Sequence, residues 1–296
     1  ILCGTTETIC RKDLFVRFDS IKVQQPAPNP MPPQDGCKHT LGNIMLIRGN
    51  YIQILNSDFL GLNKYLSEGV DVQYSNNVLV ENNEIKTVWA RGIDAADGNN
   101  ITIRNNLIHN LSEAAGIRVG TIGTGNNYGI LIENNEIYDY QDKPTEEYYP
   151  WGDFDGNSST CPSDDYHGGS GIVTRTSNVV IRNNTIHNFY GQGIMFYGEP
   201  KPNNNMLVEK NLVYDGGGFL GGSTADGRVN FNYCGTNVTI RYNTFVGYTT
   251  RNIYPNYQFI NLRYNAPISL GIYSGFDGSG INFSQDCIVG HWWGWP

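Results

Sequence analysis

The phrase NVLVENNEI, residues 77–85, constrains the fold of this chain most, because the chain keeps repeating it. NITIRNNLI begins at Asn100, and GILIENNEI, NVVIRNNTI, NMLVEKNLV and NVTIRYNTF begin at Gly129, Asn178, Asn205 and Asn237. A repeat of this length is one supersecondary unit that cannot bury its apolar face alone, so copies must stack. Aligning them puts Asn83, Asn106, Asn135, Asn184, Asn211 and Asn243 in one column. Weaker copies add Asp19, Ser57, Asn265 and Asp286, for about ten turns. A second anchor precedes the phrase: GVDV at 69, GIDA at 92, GIRV at 116, GIVT at 171, GIMF at 193 and GIYS at 271. The shortest intervals, about 22 to 24 residues, suit three short strands and three turns with side chains alternating inward.

Three columns read as scaffold. Asn tolerates the left-handed conformation of tight turns, and its amide both donates and accepts, so stacked Asn residues form a ladder. The residue two places before alternates in sign, as Glu81, Arg104, Glu133, Arg182, Glu209 and Arg241. Opposite charges on neighbouring strands attract by roughly 0.2 to 1 kcal/mol per pair, which predicts an exposed salt-bridge ladder, interrupted where Arg263 follows Arg241. His109, Tyr138, His187 and Tyr214 read as a ring stack on an outer face rather than as catalytic histidines.

With 35 Gly, 19 Tyr and 16% charged residues the composition is that of a turn-rich β protein. A net charge of −8 disfavours nucleic acid as a partner. No apolar run approaches the roughly 18 to 20 residues of a membrane span. The chain opens on Ile1 rather than on methionine, and a removed secretory segment is one explanation. Cys3, Cys10, Cys37, Cys161, Cys234 and Cys287 lack zinc-ligand spacing and are expected to form disulfides, of unknown pairing, in a secreted protein. Sequons at Asn100, Asn110, Asn157, Asn183, Asn237 and Asn282 are candidate glycosylation sites.

The Asn turn, the Gly-Ile/Val strand and the short period together resemble the right-handed parallel β-helix proteins of the pectate-lyase-like superfamily. The resemblance covers nearly the entire chain. It implies an all-β single-stranded solenoid and one domain over residues 1–296, with insertions near 23–37, 60–68, 139–170 and 215–226. Interruptions of a regular repeat are where a solenoid carries function. The 139–170 segment is acidic and aromatic, and Tyr148, Tyr149, Trp151, Tyr166 and Tyr197 are candidate carbohydrate contacts.

Alternation along the anchor strand puts Asp71, Asp94, Arg118, Val173, Met195, Asn230 and Tyr273 outward, with Gln73, Arg175 and Tyr197 two places on. Asp71, Asp94 and Arg118 thus form a polar stack, with Asp97 in the adjoining turn. The enzyme reading has two forms. In a lyase, Arg118 or Arg175 abstracts the proton beside a uronate carboxyl while Asp71, Asp94 and Asp97 hold Ca²⁺. In a hydrolase, Asp71 and Asp94 are the carboxyl pair, at a spacing of about 5 Å that suits retention. The polygalacturonase motif set is missing, and SDDYHGG compresses Asp164, Asp165 and His167 into one loop. The plainer alternative is one more charge stack in a structural or adhesive subunit that self-associates end to end, with the aromatic CIVGHWWGWP as cap or interface.

Overall fold

A computed structural model describes residues 15–24, 43–61, 68–88, 90–111, 115–120, 128–140, 169–189, 192–196, 204–214, 218–221, 237–246, 260–262, 269–272 and 281–283. The six cysteines, Asn157, Tyr148, Tyr149, Trp151, Tyr166, Tyr197, Asn230, Arg263, Asn265, Tyr273, Asp286 and the CIVGHWWGWP end lie outside them, as does most of each expected insertion.

Each phrase folds as two short strands around a bend. Ile101 and Ile103 point inward from one strand and Ile108 from the next, and all three are fully buried. Ile130, Ile132 and Ile137 repeat this one coil on, then Val179, Ile181 and Ile186. The anchor strand closes the third side with Ile93, Ile117, Ile172 and Ile194. Each such side chain contributes about 1.5 to 3 kcal/mol by leaving water, so the interior is one continuous stacked core.

Copies meet side by side and in register, and all pair in parallel. Asn76–Glu81 pairs with Asn99–Arg104, which pairs with Ile130–Glu133, so that Val80, Ile103 and Ile132 align. The two strands of each phrase form one sheet path that folds over at Val238–Val246, which serves both. The anchor strands form a separate nine-stranded sheet. At its corner the anchor glycines stack. A Cβ on Gly92 would lie 2.4 Å from Ile108 Cγ2 and 2.7 Å from the Gly116 carbonyl oxygen, closer than real Cβ atoms come. Only glycine lets the coil turn tightly onto the core here.

The Asn column is a buried amide ladder. Asn106 Nδ2 donates to Asn135 Oδ1 at 2.9 Å and to the Val80 carbonyl at 3.0 Å, while its Oδ1 accepts from Asn83 N and Nδ2. The pattern runs from Ser57 N to Asn243. A second row, Asn50, Asn76 and Asn99, opens the strands Asn50–Leu55, Asn76–Glu81 and Asn99–Arg104, and its amides donate in the opposite chain direction. The ring stack forms as expected, with centroids 5.1, 4.9 and 4.7 Å apart from His109 to Tyr214.

The structure corrects four expectations. The left-handed residue is not the ladder Asn but the one before it: Asn82, Asn105, Asn134, Asn183, Lys210 and Tyr242 have positive φ. The ladder Asn is thereby freed to turn its amide inward. Asp19 stands beside Leu55 in the charge column, and Ile21 takes the ladder position, its N–H donating to Ser57 Oγ. The charge column is partly buried and paired in twos, Arg104 with Glu81, Arg182 with Glu133 and Arg241 with Glu209, rather than exposed and continuous. Near the C-terminus the phase changes. Gly218–Gly221, read as part of an insertion, is an anchor strand paired with Gln192–Phe196. Ser269–Ile272, which holds the start of GIYS, pairs instead with Val238–Val246, and Ile260–Leu262 and Ile281–Phe283 continue the anchor sheet.

Candidate active site

The outer face of the anchor sheet carries one row in register: Leu46, Asp71, Asp94, Arg118, Val173 and Met195. Strand alternation puts all six opposite the core. Val173 and Met195 pack with Ala115 into a small apolar cluster of their own. The polar trio points outward as alternation requires, yet it is not exposed. Asp71, Asp94 and Arg118 are only 0%, 1% and 7% accessible, which the sequence pattern did not convey.

Burying charge demands pairing, and the site supplies it. Arg118 grips Asp94 with two parallel bonds, Nε to Oδ1 at 2.9 Å and Nη2 to Oδ2. Arg91 joins Glu68 and also reaches Asp94 Oδ2 at 3.7 Å. Asp71 Oδ2 accepts from Gln73 Nε2 at 2.7 Å and from Asn43 Nδ2, but its buried Oδ1 has no hydrogen-bond partner. Carboxylate oxygens of Glu68, Asp71 and Asp94 lie within 4.8 Å of one another.

Three carboxyls thus face two guanidiniums, and one proton balances them. Burial, with the neighbouring charges of Glu68 and Asp94, pushes the Asp71 carboxyl up to about 9. Glu68 is also raised, chiefly by burial and then by Asp94. Burial acts the same way on Asp94, but Arg118 and Arg91 outweigh it and hold that carboxyl below its usual range. Asp71 and Glu68 are thus the carboxyls pushed toward holding a proton, and Asp94 the one pushed toward ionisation. A protonated Asp71 also fits a buried Oδ1 that accepts no hydrogen bond.

Of the sequence candidates, Asp71, Asp94 and Arg118 come together. Asp97 is not one of the three carboxylates that converge. Asp97 sits in the following turn, its N–H bonded to the Gly120 carbonyl, and Arg175 stands beside Gly120 on the next strand. Glu68 and Arg91 were missed. A signal existed, because the residue before each anchor Gly forms a column that reads Glu68, Arg91, Ala115, Ser170 and Gln192, with opposite charges in its first two places. Ca²⁺ takes about 6 to 8 oxygen ligands, usually rich in carboxylate. Here the guanidiniums already occupy Glu68 and Asp94, so the donor set suits a proton better than a dication. Among the sequons, Asn183 and Asn237 are exposed at bends, Asn100 is exposed in the strand Asn99–Arg104, Asn110 is half-buried, and Asn282 lies in the strand Ile281–Phe283.

A family model described as the right handed beta helix region matches residues 44–289, and the chain belongs to that family. Among proteins of curated function none matches the sequence. Solved structures share the fold at low identity. A mutant tailspike protein of E. coli bacteriophage HK620 in complex with pentasaccharide is 14% identical with a TM-score of 0.50, covering 77% of this chain and 39% of that one. The DFA-IIIase of Arthrobacter chlorophenolicus without its lid is 14% identical with a TM-score of 0.47, covering 82% and 55%. The catalytic unit of an alpha-1,3-glucanase from Streptomyces thermodiastaticus is 15% identical with a TM-score of 0.46, covering 84% and 50%. This chain spans only about two fifths to just over half of each.

Proposed function

We propose that this β-helix acts on polysaccharide, and that Asp71 and Asp94 are the carboxyl pair of a glycoside hydrolase. The observation that carries the reading is that two buried carboxyls in register on adjacent strands, with oxygens within 4.8 Å, have opposite surroundings: Arg118 grips Asp94 with two bonds, whereas Asp71 accepts only from the neutral amides of Gln73 and Asn43, which favours a proton on Asp71 and a charge on Asp94. That is the division of labour glycosidic cleavage requires. Asp71 gives its proton to the leaving oxygen as the C1–O bond breaks, and Asp94 meets the positive charge at C1 and bonds to it. Water then hydrolyses the ester with Asp71 as base, which returns the proton and retains the anomeric configuration. Arg118 orients Asp94 throughout. A guanidinium bonded twice to a carboxylate is held protonated, which counts against Arg118 as the base of a lyase.

The fold is one that holds a pentasaccharide in the phage tailspike. The six cysteines make an extracellular location part of this proposal, and thiol titration of the purified, unreduced protein tests it. Burial of Asp71 and Asp94 means that the outer face must open for a sugar to reach them. The same burial favours a second reading, in which the cluster is an internal brace of a non-catalytic, self-associating subunit.

A panel of polysaccharides separates these readings. New reducing ends that disappear in Asp94→Asn, without absorbance near 235 nm, support hydrolysis. Unsaturated products at about 235 nm, with or without Ca²⁺, would replace it with a lyase. Filaments by electron microscopy and no cleavage on any substrate would establish the structural reading.

A further inference from the structure

We propose that Arg48, Gln73 and Tyr74 form a binding site for the carboxylate-bearing ring of a uronate unit. The inference rests on the reading that the anchor-sheet face engages a glycan, and it names the class of sugar.

Arg48 differs from six other arginines among the described residues. Arg17, Arg91, Arg104, Arg118, Arg182 and Arg241 each hold a carboxylate. Arg48 is exposed, and its partners among the described residues are neutral: Gln73 Oε1, which accepts from Nη2 at 2.7 Å, and the Tyr74 ring, whose centroid lies 5.6 Å from Cζ. A planar guanidinium so fixed, in a chain of net charge −8, still has donors free for an anion, and its fork matches a carboxylate.

The site is built rather than incidental. Tyr74 sits at φ 51°, a conformation bulky side chains avoid, and the next coil puts Asp97 at the equivalent bend. The ring is 58% exposed, leaving an aromatic surface on which the apolar face of a sugar can lie. Leu46 and Tyr51, on the same coil as Arg48, add exposed apolar surface. Position couples this patch to the acid cluster. Leu46 is in register with Asp71, so Arg48 stands over Gln73, and the Gln73 amide that accepts from Arg48 donates through Nε2 to Asp71 Oδ2 at 2.7 Å. A uronate on Arg48 is one amide away from the proton donor.

Isothermal titration with oligomers of galacturonate, mannuronate and glucuronate, each beside its methyl ester, tests the assignment. At least one acid oligomer should bind about tenfold more tightly than its ester, and Arg48→Gln should abolish the difference. Tyr74→Ala should weaken both forms. Equal binding of acid and ester, no binding by any oligomer, or an acid preference that survives in Arg48→Gln would overturn it. Both side chains are exposed, so far-ultraviolet circular dichroism of the variants should match the parent. Cleavage of a neutral glycan without acid preference would overturn this site and leave the hydrolase reading standing. An Arg48-dependent preference without cleavage of any glycan would do the reverse.

Discussion

Asp71→Asn isolates the proton that the buried cluster is inferred to hold. Asn has the shape of protonated Asp71: its Oδ1 can still accept from Gln73 and Asn43 while its Nδ2 donates toward Glu68. In the unfolded chain an Asp titrates near 3.9, whereas burial and its acidic neighbours push Asp71 up to about 9 in the fold. Between those limits the folded state binds the extra proton, so the stability contributed by this group is complete below about pH 4 and is lost as pH rises toward 9. The slope is at most about 1.4 kcal/mol per pH unit, or roughly 4 kcal/mol between about pH 5 and pH 8. Glu68, also raised, acts in the same direction. Asp94 is lowered, so its contribution is present above about pH 4 and fades only in stronger acid, outside this window. Urea midpoints measured across about pH 5 to 8 should therefore fall steeply with pH in the parent and much less in Asp71→Asn, with the variant the more stable at pH 8. Parallel curves for the two proteins would refute the inference that Asp71 is the protonated group.

The amide ladder should be far less forgiving than the charge column. Asn135→Ala removes the donors to the Ile103 carbonyl and to Asn184 Oδ1 and the acceptor for Asn106, so about 2 to 4 kcal/mol should be lost in denaturant titration. Arg104→Ala breaks a partly exposed pair with Glu81 and should cost no more than about 1 kcal/mol in the same titration, the difference growing smaller in high salt. Gly92→Ala forces a methyl against Ile108 and the Gly116 carbonyl, and a loss above about 3 kcal/mol, or failure to accumulate as soluble protein, should follow.

The short period, the inward Ile and Val positions and the amide ladder were all readable from NVLVENNEI and its copies. Each is a one-dimensional consequence of stacking equal coils: residues one period apart become neighbours, so a column in an alignment is a column in space. Alternation therefore also found the row of Asp71, Asp94 and Arg118. The readings that slipped were local phase errors where copies are weak, as at Asp19 and GIYS. The left-handed residue was displaced by one because both positions of the bend are so often Asn.

Columns say which residues are neighbours along the stack, but not how far solvent reaches or what crosses a corner. Only the tertiary structure brings Glu68 and Arg91 from the corner to Asp71 and Asp94, places that cluster out of water, and leaves Arg48 at the surface beside it. The sequence by itself determined a parallel β-helix, because its periodicity repeats at every coil. The protonation of the site was decided in three dimensions, because desolvation and charge at a few ångströms depend on side chains from four successive coils meeting at one place.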